Sequence, residues 1–136
     1  FNADGSFNPK ELKPMIDLIV NKKLDFVFGS RYQENSGSED DTIVTLVGNY
    51  FFTYLSKILF RLNITDILYT YVLGRTEKFK ALDLNSNDFT FCFELKYKMS
   101  SISSFERKRI SGVKKVNALF DGFKILIKIL KLFFSK

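Results

Sequence analysis

Leu12, Met15, Ile16, Ile19 and Val20 recur at the 3.6-residue spacing of one helical face, so a helix is expected over residues 9–22. Asn8 is a good cap for it, and Pro9 suits its first position. Residues 24–28 alternate as a strand does, and Gly29-Ser30-Arg31 closes that strand. With residues 1–3 read as the end of an earlier strand, the order is strand, helix, strand, which supports a parallel α/β sheet. Residues 33–41 are polar and read as a mobile loop. Residues 43–62 form a long amphipathic helix with Leu46, Val47, Tyr50, Phe51, Tyr54, Leu55, Ile58 and Leu62 along one side. Its uncharged run stops at Ser56, short of the ~20 residues a membrane span needs. Residues 67–73 are β-branched and aromatic and predict a strand. Residues 91–99 predict a short helix, and residues 100–104 carry little information and read as a bridge. A last helix is expected over 114–134, with Leu119, Phe120, Phe123, Leu126, Ile127, Leu130, Phe133 and Phe134 on one side and Lys124, Lys128 and Lys131 on the other.

Composition narrows the chemistry. A length of 136 residues is one domain or part of one, and a hydrophobic content of 46% argues against disorder. One cysteine allows no intrachain disulfide, which fits a reducing compartment. The absence of histidine excludes a Ser-His-Asp triad, a Cys-His pair and any imidazole metal site within the chain. Catalysis would rest on carboxylates, arginine, lysine, tyrosine or backbone groups, and oxygen ligands suit hard cations such as magnesium or manganese.

The charge is uneven. Residues 105–136 hold nine basic and two acidic residues, a net +7, while the rest of the chain sums to −1. That asymmetry points to an anionic surface as partner. A nucleic acid is not expected, because the tail aromatics share the apolar side of the helix and cannot stack on bases beside the basic side.

Four short motifs carry the candidate chemistry. They are Asn2-Ala3-Asp4-Gly5-Ser6, Gly29-Ser30-Arg31-Tyr32, Thr65-Asp66-Ile67-Leu68-Tyr69 and Glu106-Arg107-Lys108-Arg109-Ile110-Ser111-Gly112. An acidic Asp-Gly turn after a strand presents a carboxylate at the sheet edge where ligands bind; it is also a common turn. Arg31 can clamp a phosphate in a bidentate way or stand as a solvated loop residue. Arg107 and Arg109 alternate, so an extended backbone turns both to one side, as a phosphate clamp or as part of a basic linker.

Taken in order, these motifs resemble the family 2 glycosyltransferases, in particular the branch of dolichol-phosphate mannose synthase and the bacterial polyprenyl-phosphate sugar transferases. The resemblance runs from Phe1 to about Leu130. It implies a GT-A fold, a nucleotide-sugar donor, a divalent metal (magnesium or manganese) and a lipid-phosphate acceptor. By that resemblance Asp4 and Asn2 are the metal positions, Arg31, Arg107 and Arg109 contact phosphate, and Asp66 and Glu94 are the catalytic candidates. Glu94 also reads as a helix-surface residue paired with Lys98.

The chain departs from the family at several positions. Asn2 stands where the family has an aspartate, and Val72 where it has an arginine. Thr90 and Cys92 occupy acidic positions, and the bridge after Met99 is about eight residues short by comparison with the family. The expectation is therefore the C-terminal part of a glycosyltransferase catalytic domain over residues 1–104. A basic amphipathic membrane-surface segment follows over 105–136, in a protein peripheral to the cytoplasmic face. The chain is expected to be a fragment or decayed copy, inactive by itself, because the family builds the donor-base pocket from preceding strands. The alternative is a non-enzymatic membrane-surface protein anchored by residues 114–136.

Overall fold

A computed structural model describes residues 4–81, 99–110 and 117–134. The expected strand at residues 1–3 and all of the expected helix at 91–99 except Met99 lie outside them. Asn8 caps the first turn as expected: its side-chain oxygen accepts from the Lys10 N–H at 3.2 Å, and Pro9–Glu11 form one 3-10 turn. The chain then runs into α1, Leu12–Asn21. Strand β1 follows at Phe26–Ser30, two residues later than the alternation suggested, and is buried at all five positions.

The remaining elements are β2 (Gly37–Ser38), α2 (Ile43–Phe60), β3 (Val72–Gly74), α3 (Thr76–Lys80), β4 (Met99–Ser103), β5 (Phe105–Glu106) and α4 (Ala118–Phe134). The architecture is mixed α/β. The larger sheet has the order β3-β1-β4, with β1 antiparallel to β3 and parallel to β4; β2 and β5 form a small parallel pair.

Two segments differ from the sequence reading. Residues 67–73 are strand only at their end, because β1 offers a partner only there. Phe28 pairs with Val72, and the Gly29 N–H reaches the Tyr71 carbonyl at 2.8 Å. Upstream the chain leaves the sheet and its backbone is satisfied by side chains, as where the Ile67 N–H donates to Thr53 Oγ1 at 3.1 Å. The serine-rich bridge is the opposite case. It forms β4 and runs the full length of β1, from Phe26 opposite Met99 to Ser30 opposite Ser103. The 33–41 segment is tied to the same region through β2, and the Glu39 N–H bonds the Glu106 carbonyl at 2.9 Å.

Buried side chains form three clusters. Phe7, Met15, Ile19, Val27, Tyr69 and Tyr71 join α1 to the sheet, with Phe7 stacked on Tyr71 at 4.5 Å and edge-on to Tyr69 at 5.3 Å. Phe26 and Phe28 pack with Val72 and Phe79 on the other side. Phe52, Ile64, Ile67, Ile125 and Ile129 pack α4 onto α2 and the 64–67 segment. The tail helix is thus part of the fold's core. Phe52 lies beside Gly122 and Phe60 beside Phe133, so α2 and α4 run in the same direction.

Gly74 marks the tightest backbone approach in the sheet. A Cβ there would lie 2.3 Å from Phe26 Cδ1 and 2.6 Å from a Phe79 ring carbon. Gly48, inside α2, has open space around the same position. We expect Gly74→Ala to lower unfolding free energy by about 1–3 kcal/mol through overpacking. Gly48→Ala should raise it by about 0.5–1 kcal/mol through chain entropy. Urea denaturation of the two variants checks both signs.

Candidate functional site

β1 ends at Ser30, and the next residue, Arg31, turns its side chain into the protein, where it is only 9% exposed. Its guanidinium meets Asp66 in a bidentate pair: Nε donates to Oδ2 at 2.8 Å and Nη2 to Oδ1 at 3.1 Å. Nη1 donates to Glu106 Oε2 at 3.0 Å and to Asp41 Oδ1 at 3.3 Å. The backbone N–H of Arg31 adds a further bond to Asp66 Oδ2 at 3.1 Å. The rings of Tyr69 and Tyr32 cover the guanidinium, with centroids 4.7 and 5.3 Å from its carbon. One cation from the end of a strand therefore holds carboxylates from three other segments of the chain.

The carboxylates are themselves held. Asp66 is fully buried, and Asn49 of α2 donates its side-chain amide to Oδ1. Asp41 Oδ2 accepts from the Tyr32 hydroxyl at 2.6 Å, and its Oδ1 from Thr45 at 3.1 Å. Glu106 Oε2 also accepts from Ser38 at 2.6 Å. Such saturation is what lets a buried ion cluster persist, since each ion otherwise loses several kcal/mol of hydration. Burial alone would lower the pKa of Arg31. The hydrogen bonds and charge of Asp66, with the charge of Asp41, more than reverse this and hold it above its ordinary value. Burial pushes the Tyr32, Tyr69 and Tyr71 phenols up, Tyr71 to about 12.

Beside this cluster lies a second, more open one. Asp4 Oδ1 accepts from the Ser6 N–H at 3.0 Å and the Ser6 hydroxyl at 2.7 Å, and those bonds to Ser6 hold its pKa below the usual carboxylate range. Its Oδ2 faces Arg109 Nε at 3.8 Å, and the same nitrogen donates to Asp40 at 3.3 Å. Arg107 donates to the Phe7 carbonyl at 2.8 Å. Backbone bonds from Arg107 to Ser6 and from Ile110 to Asp4 lay the two segments side by side. A cavity of about 150 Å³ opens between these groups and the helices, walled by Arg31, Asp41, Asn49, Tyr69, Arg109 and Ile125 among others.

The four motifs therefore meet at the carboxyl end of β1, with Asp4, Arg31, Asp66, Arg107 and Arg109 in one region. Asn2 and Glu94 lie outside the described residues. The guanidinium of Arg31, expected to hold a phosphate, is engaged by carboxylates. Arg107 and Arg109 both grip the Asp4–Ser6–Phe7 segment, so the pairing of the two arginines anticipated from their alternation is directed at the protein's own backbone and acids. Glu106 and Tyr69 belong to the motifs but carry no role of their own in the sequence reading, and Asp41 and Asn49 lie outside the motifs. A signal for Asn49 existed: Thr45, Asn49, Thr53 and Ser56 repeat at helical spacing inside an otherwise apolar segment.

No protein-family model matches the chain, and no curated protein matches it.

A divalent metal of the magnesium or manganese kind needs several convergent oxygen ligands. Among the described residues no three acidic side chains converge in a way that would hold one. Asp4 spends one oxygen on Ser6 and turns the other toward Arg109. The described residues thus do not assemble a metal site.

The ion cluster makes two measurable demands. Arg31→Met should cost about 3–5 kcal/mol, because buried carboxylates lose their counter-ion. In a double-mutant cycle with Asp66→Leu, the pair should cost less than the sum of the two single changes. The tyrosines give a pH dependence. Their folded pKa values lie above the unfolded value of ~10, so the stabilising contribution is complete below pH ~10 and is lost as pH rises through the folded values. Unfolding free energy should fall as pH is raised above ~10, with tyrosinate absorbance appearing together with loss of structure.

Proposed function

We propose that the chain forms the acceptor side of a sugar transferase of GT-A type, acting on a lipid-linked phosphate at a membrane surface. The observation that carries this reading is the meeting of four motifs, spread over a hundred residues, at the carboxyl end of β1: three of them line one cavity there, and the first reaches it through the pairing of Asp4 with Arg109. That edge is where open α/β sheets bind their ligands. The transfer itself takes a sugar from a nucleotide donor, with an oxygen of the acceptor phosphate forming the new bond and a nucleoside diphosphate leaving.

On this reading the residues divide the work. Arg31 is the strut of the site, since its charge is already balanced. Arg109 is the group an acceptor phosphate can engage: its side chain is 25% exposed, and its partners Asp40 and Asp4 sit at 3.3 and 3.8 Å. A phosphate must exchange with those carboxylates, so they compete with it. Both carboxylate oxygens of Asp66 are already taken by Arg31 and Asn49, so the acceptor phosphate attacks in its ionised form and needs no base.

A second reading, a non-enzymatic membrane-surface protein, is favoured by the way the chain's own acids occupy Arg31. One experiment separates the two. A short-chain polyprenyl phosphate in detergent is titrated against the protein by calorimetry. We expect binding that Arg109→Gln abolishes. Asp40→Asn should tighten binding by roughly 1.5-fold to 5-fold, the worth of one partly exposed ion pair. Incubated with nucleotide sugars, manganese and the same acceptor, the chain alone should release no nucleoside diphosphate. Unchanged affinity in both variants would leave the membrane-surface reading.

A further inference from the structure

α2 is built with its apolar side outward. Asn49, Thr53 and Ser56 are buried, while Ile43, Val44, Val47, Tyr50, Phe51, Tyr54 and Ile58 are exposed, Ile43 by 81% and Tyr54 by 67%. The polar bonds fix this orientation. Asn49 holds Asp66, Thr53 receives the Ile67 N–H at 3.1 Å and donates to Asn49 at 3.3 Å, and Ser56 closes on the Phe52 carbonyl at 2.7 Å. Rotating the helix to bury its apolar side would break the support of Asp66 and so of Arg31. The neighbouring α4 behaves alike. It buries Ile125 and Ile129 against α2 and leaves Leu119, Phe120, Phe123, Leu130 and Phe134 exposed. An apolar surface spread over two packed helices exceeds what a soluble monomer ordinarily exposes.

We propose that α2 and α4 together seat the protein on an anionic lipid bilayer, with α2 lying in the interface by the residues that point away from the core. Three observations select the bilayer as occupant. The charges on the two helices are almost all positive: Lys57 on α2 and Lys124, Lys128 and Lys131 on α4, against Asp121 alone. A two-fold contact with a second copy would set this positive rim against itself, whereas anionic headgroups complement it. Tyr50 and Tyr54 each offer an apolar ring with a polar tip, the form favoured at a membrane interface. By length and composition alone α2 could cross a membrane, but Lys57 cuts its uncharged run short and its inward bonds to Asp66 and Ile67 hold it against the protein. The cavity is walled by Asn49 of α2 and Ile125 of α4, so the two helices of the seat also wall the candidate site from their inner sides. The seat deepens the transferase reading without depending on it.

The test is flotation of the full chain with vesicles of phosphatidylcholine alone and of phosphatidylcholine with phosphatidylglycerol, at low and high salt. We expect binding to the anionic vesicles that weakens with salt. Val47→Gln with Tyr54→Gln should lower the partition coefficient at least about tenfold, as should Phe123→Gln with Phe134→Gln. All four positions are exposed, so the urea midpoints should not move, and a moved midpoint in either pair would contradict the outward placement on which the seat rests. Lys57→Gln with Lys131→Gln should remove most of the preference for anionic vesicles. Full binding by the α2 pair would overturn the seat and leave α4 as the sole anchor. Sedimentation of the lipid-free chain as a dimer that the α2 pair dissociates, with no vesicle binding, would overturn it in favour of a second copy. No donor or phosphate ligand enters this test, so its failure is separate from failure of the acceptor titration.

Discussion

Among the described residues, the buried charge of Arg31 must be balanced for the rest to stand. It leaves the end of β1 and is buried among Asp66, Asp41 and Glu106, which come from the segment after α2, from the loop before α2 and from β5. A guanidinium suits this task because its planar fork donates in several directions at once and keeps its charge when buried. The energetic logic is asymmetric. The whole cluster contributes little net stability against an apolar substitute of equal shape, yet removing one member strands the others. The geometry that α2, β5 and the 33–41 segment share is thus set by a polar hub more than by a hydrophobic seam.

That hub has a consequence for α2. Supporting Asp66 requires Asn49 and Thr53 on the inner face, and a helix that turns these inward must turn Val47, Tyr50 and Tyr54 outward. Electrostatic support for the site and the apolar outer surface are two sides of one rotation about the helix axis. α4 then closes the remaining apolar face of α2, through Ile125 and Ile129 against Phe52. A basic tail that would be a separate element by composition is in this way drawn into the core beside the cavity.

The candidate site has a corresponding division of labour. Arg31 and Asp66 are held by too many partners to exchange readily with a ligand, which makes them positioning residues. Arg109 is bound more loosely, by two carboxylates at the mouth of the cavity. On the proposed reading, an anion bound at Arg109 would compete with Asp40 and Asp4 for it.

The sequence by itself determined where α1, α2 and α4 lie, since the 3.6-residue spacing, the Asn8-Pro9 start and the stripe from Leu46 to Ile58 depend only on neighbours along the chain; the short α3 carried no such stripe and was not expected. It also marked Asp4 and Arg31 through their turn and glycine contexts, Arg109 through its alternation with Arg107, and Asp66 through the family resemblance alone. Tertiary structure decided what local pattern does not contain. Ser100–Ser103 became a strand because β1 supplied a parallel partner, although serine has no strong preference for one. Residues 67–71 lost their strand because no partner was offered. The polar stripe of α2 went inward because Asp66 and Ile67, more than ten residues away, needed its hydrogen bonds. Hydrophobic periodicity tells that a helix has two faces; only the groups that meet it in space decide which face is buried.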